Sequence, residues 1–482
     1  VALSLNEIVL NYNKTSLSAS FQEMKFNLIG EVNIAQLQPH NNQPIKVNFT
    51  AGVTQKKDVW QVDLAQGTTI EFSQLNLFDS KAESLISYWQ GEIAFVKANT
   101  HSQIATTPDI TFNLQAYNQL RKLNVPQIID VKSLLLETNF SGSLDDIMMN
   151  TKMIFDEIPI ANIKLTGDVY HPDFLVSGRD VLLTDILTLK VKPPVALKLV
   201  DGKFSFQLTG QLKDNENLID NPMLLALSVS DVTGEIDGTW LQELNWQQHF
   251  SIKKGIIKSH TLDANSNIKA VNNLTVTKIE TATEISLLSA NTLIDFSHGE
   301  INVMARNISG SLLDGHFHVD KVQWPFSKGS AANVTLTEID LEKLLELDKK
   351  QGIVVTGNVS GNFPIYYEDG GFLVKKGSLH NVGDGIIQVY NNPAVEELKS
   401  SSTELKLAFS ALENLHYHHL TSAVSMAEDG YMLLVTEIKG RNPDLDNEVN
   451  LNLNLSYDLL GLLESFNITE HFESKVIKGL QR

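Results

Sequence analysis

Alternation of apolar and polar residues with a period of two runs through most of this chain, and it restricts the chain to strands with one dry and one wet face. Met24, Phe26, Leu28, Gly30, Val32 and Ile34 share one parity against Lys25, Asn27, Glu31 and Asn33. Ile110, Phe112 and Leu114 alternate with Asp109, Thr111, Asn113 and Gln115, and Phe204, Phe206 and Leu208 with Lys203, Ser205 and Gln207. The same holds for Val355, Val359 and Phe363, and again for Val449, Leu451 and Leu453 against Asn450, Asn452 and Asn454. The fold class is therefore all-β.

Length alone, 482 residues, suggests roughly three domains. Only 13 Pro are present and no Gly/Ser-rich or Pro-rich linker separates one stretch from the next, which favours a single sheet that grows strand by strand. With roughly 15 residues per strand and turn, about 30 strands at ~4.8 Å each give a sheet about 140 Å long. A fragment of the form apolar-x-Gly-x-apolar recurs around Gly30, Gly142, Gly167, Gly210, Gly234, Gly310 and Gly357, always with Gly on the apolar parity. A missing side chain there suits a sheet that curls or a close backbone approach. The expected architecture is an elongated, curled, antiparallel-rich sheet that forms a long open groove with an apolar inside, with a few short helices. Helical spacing predicts one helix over "LEKLLEL" capped by Asp340, one over 239–246 capped by Thr239, and one along Leu459, Leu460, Leu462, Leu463 and Phe466.

The composition excludes several classes. With no Cys, there are no disulfides, thiolate metal sites or Cys nucleophiles, and the absence suits an oxidising compartment. A net charge of −19 argues against nucleic acid, whose phosphates require a surplus of Lys and Arg. No run of 18 apolar residues is present, and "VALSLNEIVLNY" reads as a strand rather than a signal peptide, as expected of a mature or trimmed piece. The sequence contains no GxSxG, GxxxxGK[ST], GxGxxG or HExxH. Gly310 followed by His316 and His318 approaches a cupin metal motif, but Val322 and Gln323 stand where its Glu belongs. His416 and His418 share a strand face without an acidic partner at ligand spacing. Glu396/Glu397, Asp145/Asp146 and Asp444/Asp446 read as solvated turn residues. The chain is expected to be no enzyme and to need neither cofactor nor metal. A β-helical hydrolase would require carboxylates paired across adjacent strands.

From about residue 330 the chain resembles the YdbH family, which belongs with TamB among the AsmA-like proteins of Gram-negative bacteria. The residues that carry this are "ANVTLTEIDLEKLLEL" (332–347), the run from Gly357 to Pro364, the Asp369-Gly370 turn, Gly377, the Gly383/Gly385 pair and Tyr390. "EDGYMLLVTEIKGRNPD" (428–444), with its Gly440–Pro443 ending, and "VNLNLNLSYDLLGLLESF" (449–466) continue it. The resemblance implies a β-sheet folded like a taco (a β-taco) that serves as a periplasmic bridge for phospholipid between the inner and outer membranes. It further implies an N-terminal inner-membrane anchor outside this sequence, and an outer-membrane lipoprotein or inner-membrane partner. Residues 1–330 would form the groove and 331–482 a C-terminal region continuing the same sheet. On that basis the groove is lined by Met24, Phe26, Leu28, Ile110, Phe112, Leu114, Ile163, Leu165, Phe204, Phe206, Leu208, Val355, Val359, Phe363, Val449, Leu451 and Leu453. The alternative is a secreted or periplasmic β-solenoid with a dry core, acting as an adhesin, a sugar-binding module or a structural module.

Overall fold

The computed structural model describes residues 8–12, 15–22, 25–34, 45–56, 59–77, 80–96, 109–126, 129–189, 196–212, 220–260, 272–281, 283–297, 299–348, 352–368, 370–390, 393–445 and 447–458. The fold is all-β, built of antiparallel ladders with a few short helices. In chain order the first elements are β1 (Ile8–Tyr12), β2 (Thr15–Gln22), β3 (Lys25–Ile34), β4 (Ile45–Lys56), β5 (Val59–Leu77), β6 (Ser80–Val96) and β7 (Asp109–Val125). They are followed by β8 (Ile129–Ser143), β9 (Ile147–Phe155), β10 (Ile158–Gly167), β11 (Asp173–Leu182), α1 (Leu183–Thr188), β12 (Leu197–Gln211), β13 (Met223–Ile236), β14 (Thr239–Lys253) and β15 (Ile256–Ser259). Next come β16 (Asn273–Glu280), β17 (Ile285–Ser297), β18 (Glu300–Leu312), β19 (Gly315–Trp324), β20 (Ala331–Asp340), α2 (Leu341–Asp348), β21 (Ile353–Val355) and β22 (Asn358–Glu368). The last are β23 (Gly371–Val382), β24 (Gly385–Val389), α3 (Pro393–Ser401), α4 (Thr403–Leu412), β25 (Leu415–Met426), β26 (Tyr431–Asn442) and β27 (Asn447–Asp458).

The chain divides into two compact units. One comprises Val1–Lys192, Lys203–Ser228 and Phe250–Ile257, and the other Pro193–Gly202, Val229–His249 and Lys258–Arg482. In the first unit each strand from β1 to β12 pairs with its neighbour in sequence, a plain antiparallel meander. In the second, β14 pairs with β16 and the ladder runs on through β17, β18, β19, β20, β22, β23, β25, β26 and β27, while β21 and β24 attach beside β25. A meander keeps every contact local, so the chain needs no linker between strands.

The ladders bend at β-bulges whose extra residue adopts a left-handed conformation. Asp180 (φ 51°) and Glu338 (φ 55°) are examples, each within a register shift. The N–H freed at each bulge donates to a side chain of the next strand: Asp180 N to Ser205 Oγ at 2.9 Å, and Glu338 N to Ser360 Oγ at 3.0 Å. A bulge increases local twist and bends the strand that carries it. Several of the inward glycines do something different, since they leave room for an aromatic ring. Gly178 faces Phe206 across β11 and β12, Gly210 faces Phe174, and Gly310 faces Phe317 across β18 and β19. A Cβ on Gly210 would lie 2.8 Å from the Phe174 ring, and one on Gly310 2.8 Å from the Phe317 ring. Rings laid over bare backbone recover the apolar burial that glycine forfeits.

Of the expected helices, the one at 341–348 forms. Asp340 Oδ1 caps it, accepting from the Glu342 N–H at 2.8 Å and the Lys343 N–H at 3.2 Å. The segment 239–246 is instead the start of β14, which corrects the helical expectation. Asp237 (φ 48°) and Gly238 (φ 88°) lie in left-handed conformations at a two-residue Asp-Gly turn, the turn chemistry of a hairpin. The segment 459–466 lies outside the described residues. Glu396 and Glu397, read as turn residues, sit on α3, where Lys399 donates to Glu396 at 2.8 Å and to Glu413 at 2.6 Å. Substituting Gly178→Ala would push a Cβ to 2.5 Å from the Phe206 ring and against the Ile160 carbonyl. The expected cost is about 1–3 kcal/mol, as for overpacking in cores, read from urea unfolding; an unchanged midpoint would contradict the ring-seat role.

Candidate functional site

The registers of the first unit bring distant apolar positions into rows that run across the strands. One row is Leu28, Ala51, Leu64, Gly91, Leu114, Phe140, Met149, Leu165, Phe174 and Gly210, passing from β3 to β12. Beside it run Phe26, Val53, Val62, Ile93, Phe112, Gly142, Ile147 and Gly167. On the other side stand Trp89, Ala116, Thr138, Thr151, Ile163, Val176 and Leu208. None of these positions carries a charged residue. The first row crosses ten strands, hence nine spacings of ~4.8 Å, or about 43 Å of continuous uncharged face.

The opposite face of the same strands is built differently. There Asp63, Glu92, Asn113, Ser141, Met148, Thr166 and Asp173 form the row, and Gln61 Nε2 donates to Asp63 at 2.8 Å and to Glu92 at 3.0 Å. Gln90 and Gln115 bond across it at 2.7 Å. Along these rows, charge is thus confined to one face. Ile110, Phe112, Ile163, Leu165, Phe204, Phe206 and Leu208 are only half-buried, while Leu114 is 8% exposed. Phe112 stacks on Phe140 at 4.3 Å between centroids, and Phe204 lies 5.6 Å from Phe206. Met24 lies outside the described residues, and Phe26 and Leu28 are placed by register alone.

The second unit has rows of the same kind. Gly310, Phe317, Leu336, Gly361, Leu379, Ser422, Thr436 and Leu453 align from β18 to β27, with Val319, Val334 and Phe363 alongside. Toward the other end of those strands the face closes into a core. Val359 (1% exposed) and Val449 (9%) are buried there with Leu415, Tyr417 and Ile438, against Val395 of α3 and Ala411 and Leu412 of α4, and Val355, Leu451 and Leu453 pack onto this cluster. The sequence reading missed α3 and α4, although Pro393 at the first helical position was a usable start signal.

The Glu437 carboxyl is held below its usual range, chiefly by the Lys439 ammonium that donates to it. His316 Nδ1 is 3.1 Å from Ser311 Oγ, and His318 Nε2 is 3.3 Å from Asp320. His416 and His418 lie exposed on β25. Among the described residues no three His, Cys, Asp or Glu side chains come within reach of one metal ion. No described helix is long and apolar enough to cross a membrane.

A family model described as YdbH-like, intermembrane phospholipid transport protein YdbH, matches residues 13–481. The chain belongs to the YdbH-like family. The match takes in nearly the whole chain, extending the resemblance seen in the last third to the strands that carry the long apolar rows. No curated protein and no solved structure matched the chain. Membership places the chain among intermembrane phospholipid transport proteins rather than enzymes.

The closed core supplies its own test. Tyr417, 1% exposed, donates its hydroxyl to the Thr356 carbonyl at 2.7 Å. Burial, aided by the Asp384 charge, pushes its pKa up to about 12. Because the folded value exceeds the ordinary value of about 10, the stabilisation is complete below pH ~10 and is lost as pH rises toward 12. Spectrophotometric titration should show one phenol ionising late, and Tyr417→Phe should remove that phase and flatten the alkaline fall in stability. A late phase that persists in the variant would contradict the assignment.

Proposed function

We propose that the chain carries phospholipid by laying acyl chains along its uncharged face while the headgroup stays in water. The observation that carries this is the row from Leu28 to Gly210, apolar or glycine at every strand and unbroken by charge. A two-chain lipid has roughly 30 methylenes, and at ~0.8 kcal/mol each their exposure opposes free passage through water by about 25 kcal/mol. A half-buried apolar face removes most of that barrier without binding any one lipid tightly, so lipid can move along it. A small dianion, in contrast, would require convergent cations that these rows lack.

In this proposal the groove is lined in the first unit by Phe26, Leu28, Ile110, Phe112, Leu114, Ile163, Leu165, Phe204, Phe206 and Leu208. In the second it is lined by Val355, Phe363, Leu451 and Leu453, with Val359 and Val449 supporting them from the closed core; Met24 would extend the β3 edge. The setting is the periplasm between inner and outer membranes, with an inner-membrane anchor and a lipoprotein or inner-membrane partner completing the path.

Leu165 and Lys164 are adjacent on β10 and point to opposite faces, which makes them a matched pair. Leu165→Glu places a carboxylate in the long row, and should abolish phospholipid retained in native mass spectrometry and transfer between vesicles by at least tenfold. Lys164→Glu should leave both unchanged, and circular dichroism should show both variants folded. If Leu165→Glu keeps its lipid, the groove is not where lipid travels.

A further inference from the structure

The uncharged face of the first unit is interrupted by a narrow polar belt. On it, Thr138 Oγ1 and Thr151 Oγ1 bond to each other at 2.9 Å between β8 and β9. One row over, Ser87 Oγ donates to Asn118 Oδ1 between β6 and β7. Thr68 of β5 donates to the Ala65 carbonyl at 3.2 Å and to the Thr50 carbonyl at 3.3 Å. Between them, directly opposite Thr68 and Ala116, stands Trp89. Its indole Nε1 is buried and has no hydrogen-bond partner among the described residues.

The hydroxyls of the belt are satisfied by a neighbouring hydroxyl, side-chain amide or backbone carbonyl, and the indole does not take part. A buried donor without an acceptor is costly and rare, which calls for a partner that no described residue supplies. Nothing in the belt is cationic, so the missing partner is a neutral acceptor and not a phosphate oxygen. Apolar rows flank the belt on both sides: Leu114 and Phe140 on one, Leu120 and Leu134 on the other. The complementary molecule is therefore apolar along its length with a neutral oxygen acceptor inside it.

We propose that the Trp89 N–H donates to an ester carbonyl of a diacyl lipid, so that the belt is a polar station at which the glycerol ester region pauses on the groove. This rests on the groove reading above and adds to it a preference among lipids. Lipids whose chains are joined by ester should be held better than those joined by ether, which lack the carbonyl. A pause at a fixed place also gives stepwise movement, because each lipid must leave the station before the next one enters.

The test offers the full chain an equal mixture of a diester phosphatidylglycerol and its dialkyl-ether counterpart, and reads the retained species by native mass spectrometry. The wild type should favour the diester about fivefold, the worth of one neutral hydrogen bond. Trp89→Phe, which keeps an aromatic ring and removes the donor, should retain both lipids equally and the ether lipid as well as the wild type does. Equal retention by the wild type, or the same preference in Trp89→Phe, overturns the station while leaving the groove intact. A folded wild type that retains neither lipid overturns the groove reading and the station with it. The wild-type preference needs no variant, so a folding defect in Trp89→Phe does not block the test.

Discussion

Backbone hydrogen bonds between neighbouring strands fix which side chains stand opposite one another, and in this chain that alignment places uncharged residues in long rows. Outside the bulges, the N–H and C=O groups of an interior strand are satisfied sideways, by the strand on either side, so the two faces are free to differ completely. One face takes Asp63, Glu92 and Asp173, and the other takes Leu64, Gly91 and Phe174. A slip of one residue anywhere in the ladder would exchange the two sets. Register is thus the property on which the apolar face depends, and side-chain packing follows from it.

Two local devices protect that register while letting the sheet bend. Left-handed bulge residues such as Asp180 and Glu338 absorb an extra residue, and Ser205 and Ser360 satisfy the N–H that the bulge sets free. Glycines opposite Phe206, Phe174 and Phe317 leave space for rings to lie flat against the sheet. The result in the first unit is a face whose residues are mostly half-buried, which suits a surface that holds acyl chains loosely. The cluster around Leu415, Tyr417 and Val359 is packed tightly under α3 and α4 and supplies rigidity to the second unit.

Much of this was legible in the residues. Period-two parity named the strand class and the apolar side at Phe112, Leu165 and Phe206, and Asp340 marked its helix correctly. The rows were not legible, because the partner of Leu114 depends on every turn and bulge between it and Leu28, including the shift between Leu64 and Thr68. Segment 239–246 deceived because its Trp and Leu spacing satisfies a helix as well as a strand, whereas the Asp237-Gly238 turn that decides the matter lies just outside it. Thr138 and Thr151 stand on separate strands, and only the β8–β9 register shows that they meet.

The central claim is that lipid follows one parity of the strands. It is tested most directly by placing a photoreactive amino acid singly at successive positions along β7, from Ile110 to Gln115, and measuring crosslinked phospholipid from cells. The account predicts crosslinks at Ile110, Phe112 and Leu114 and none at Thr111, Asn113 and Gln115. Crosslinking without that two-residue rhythm, or confined to the odd positions, would contradict it.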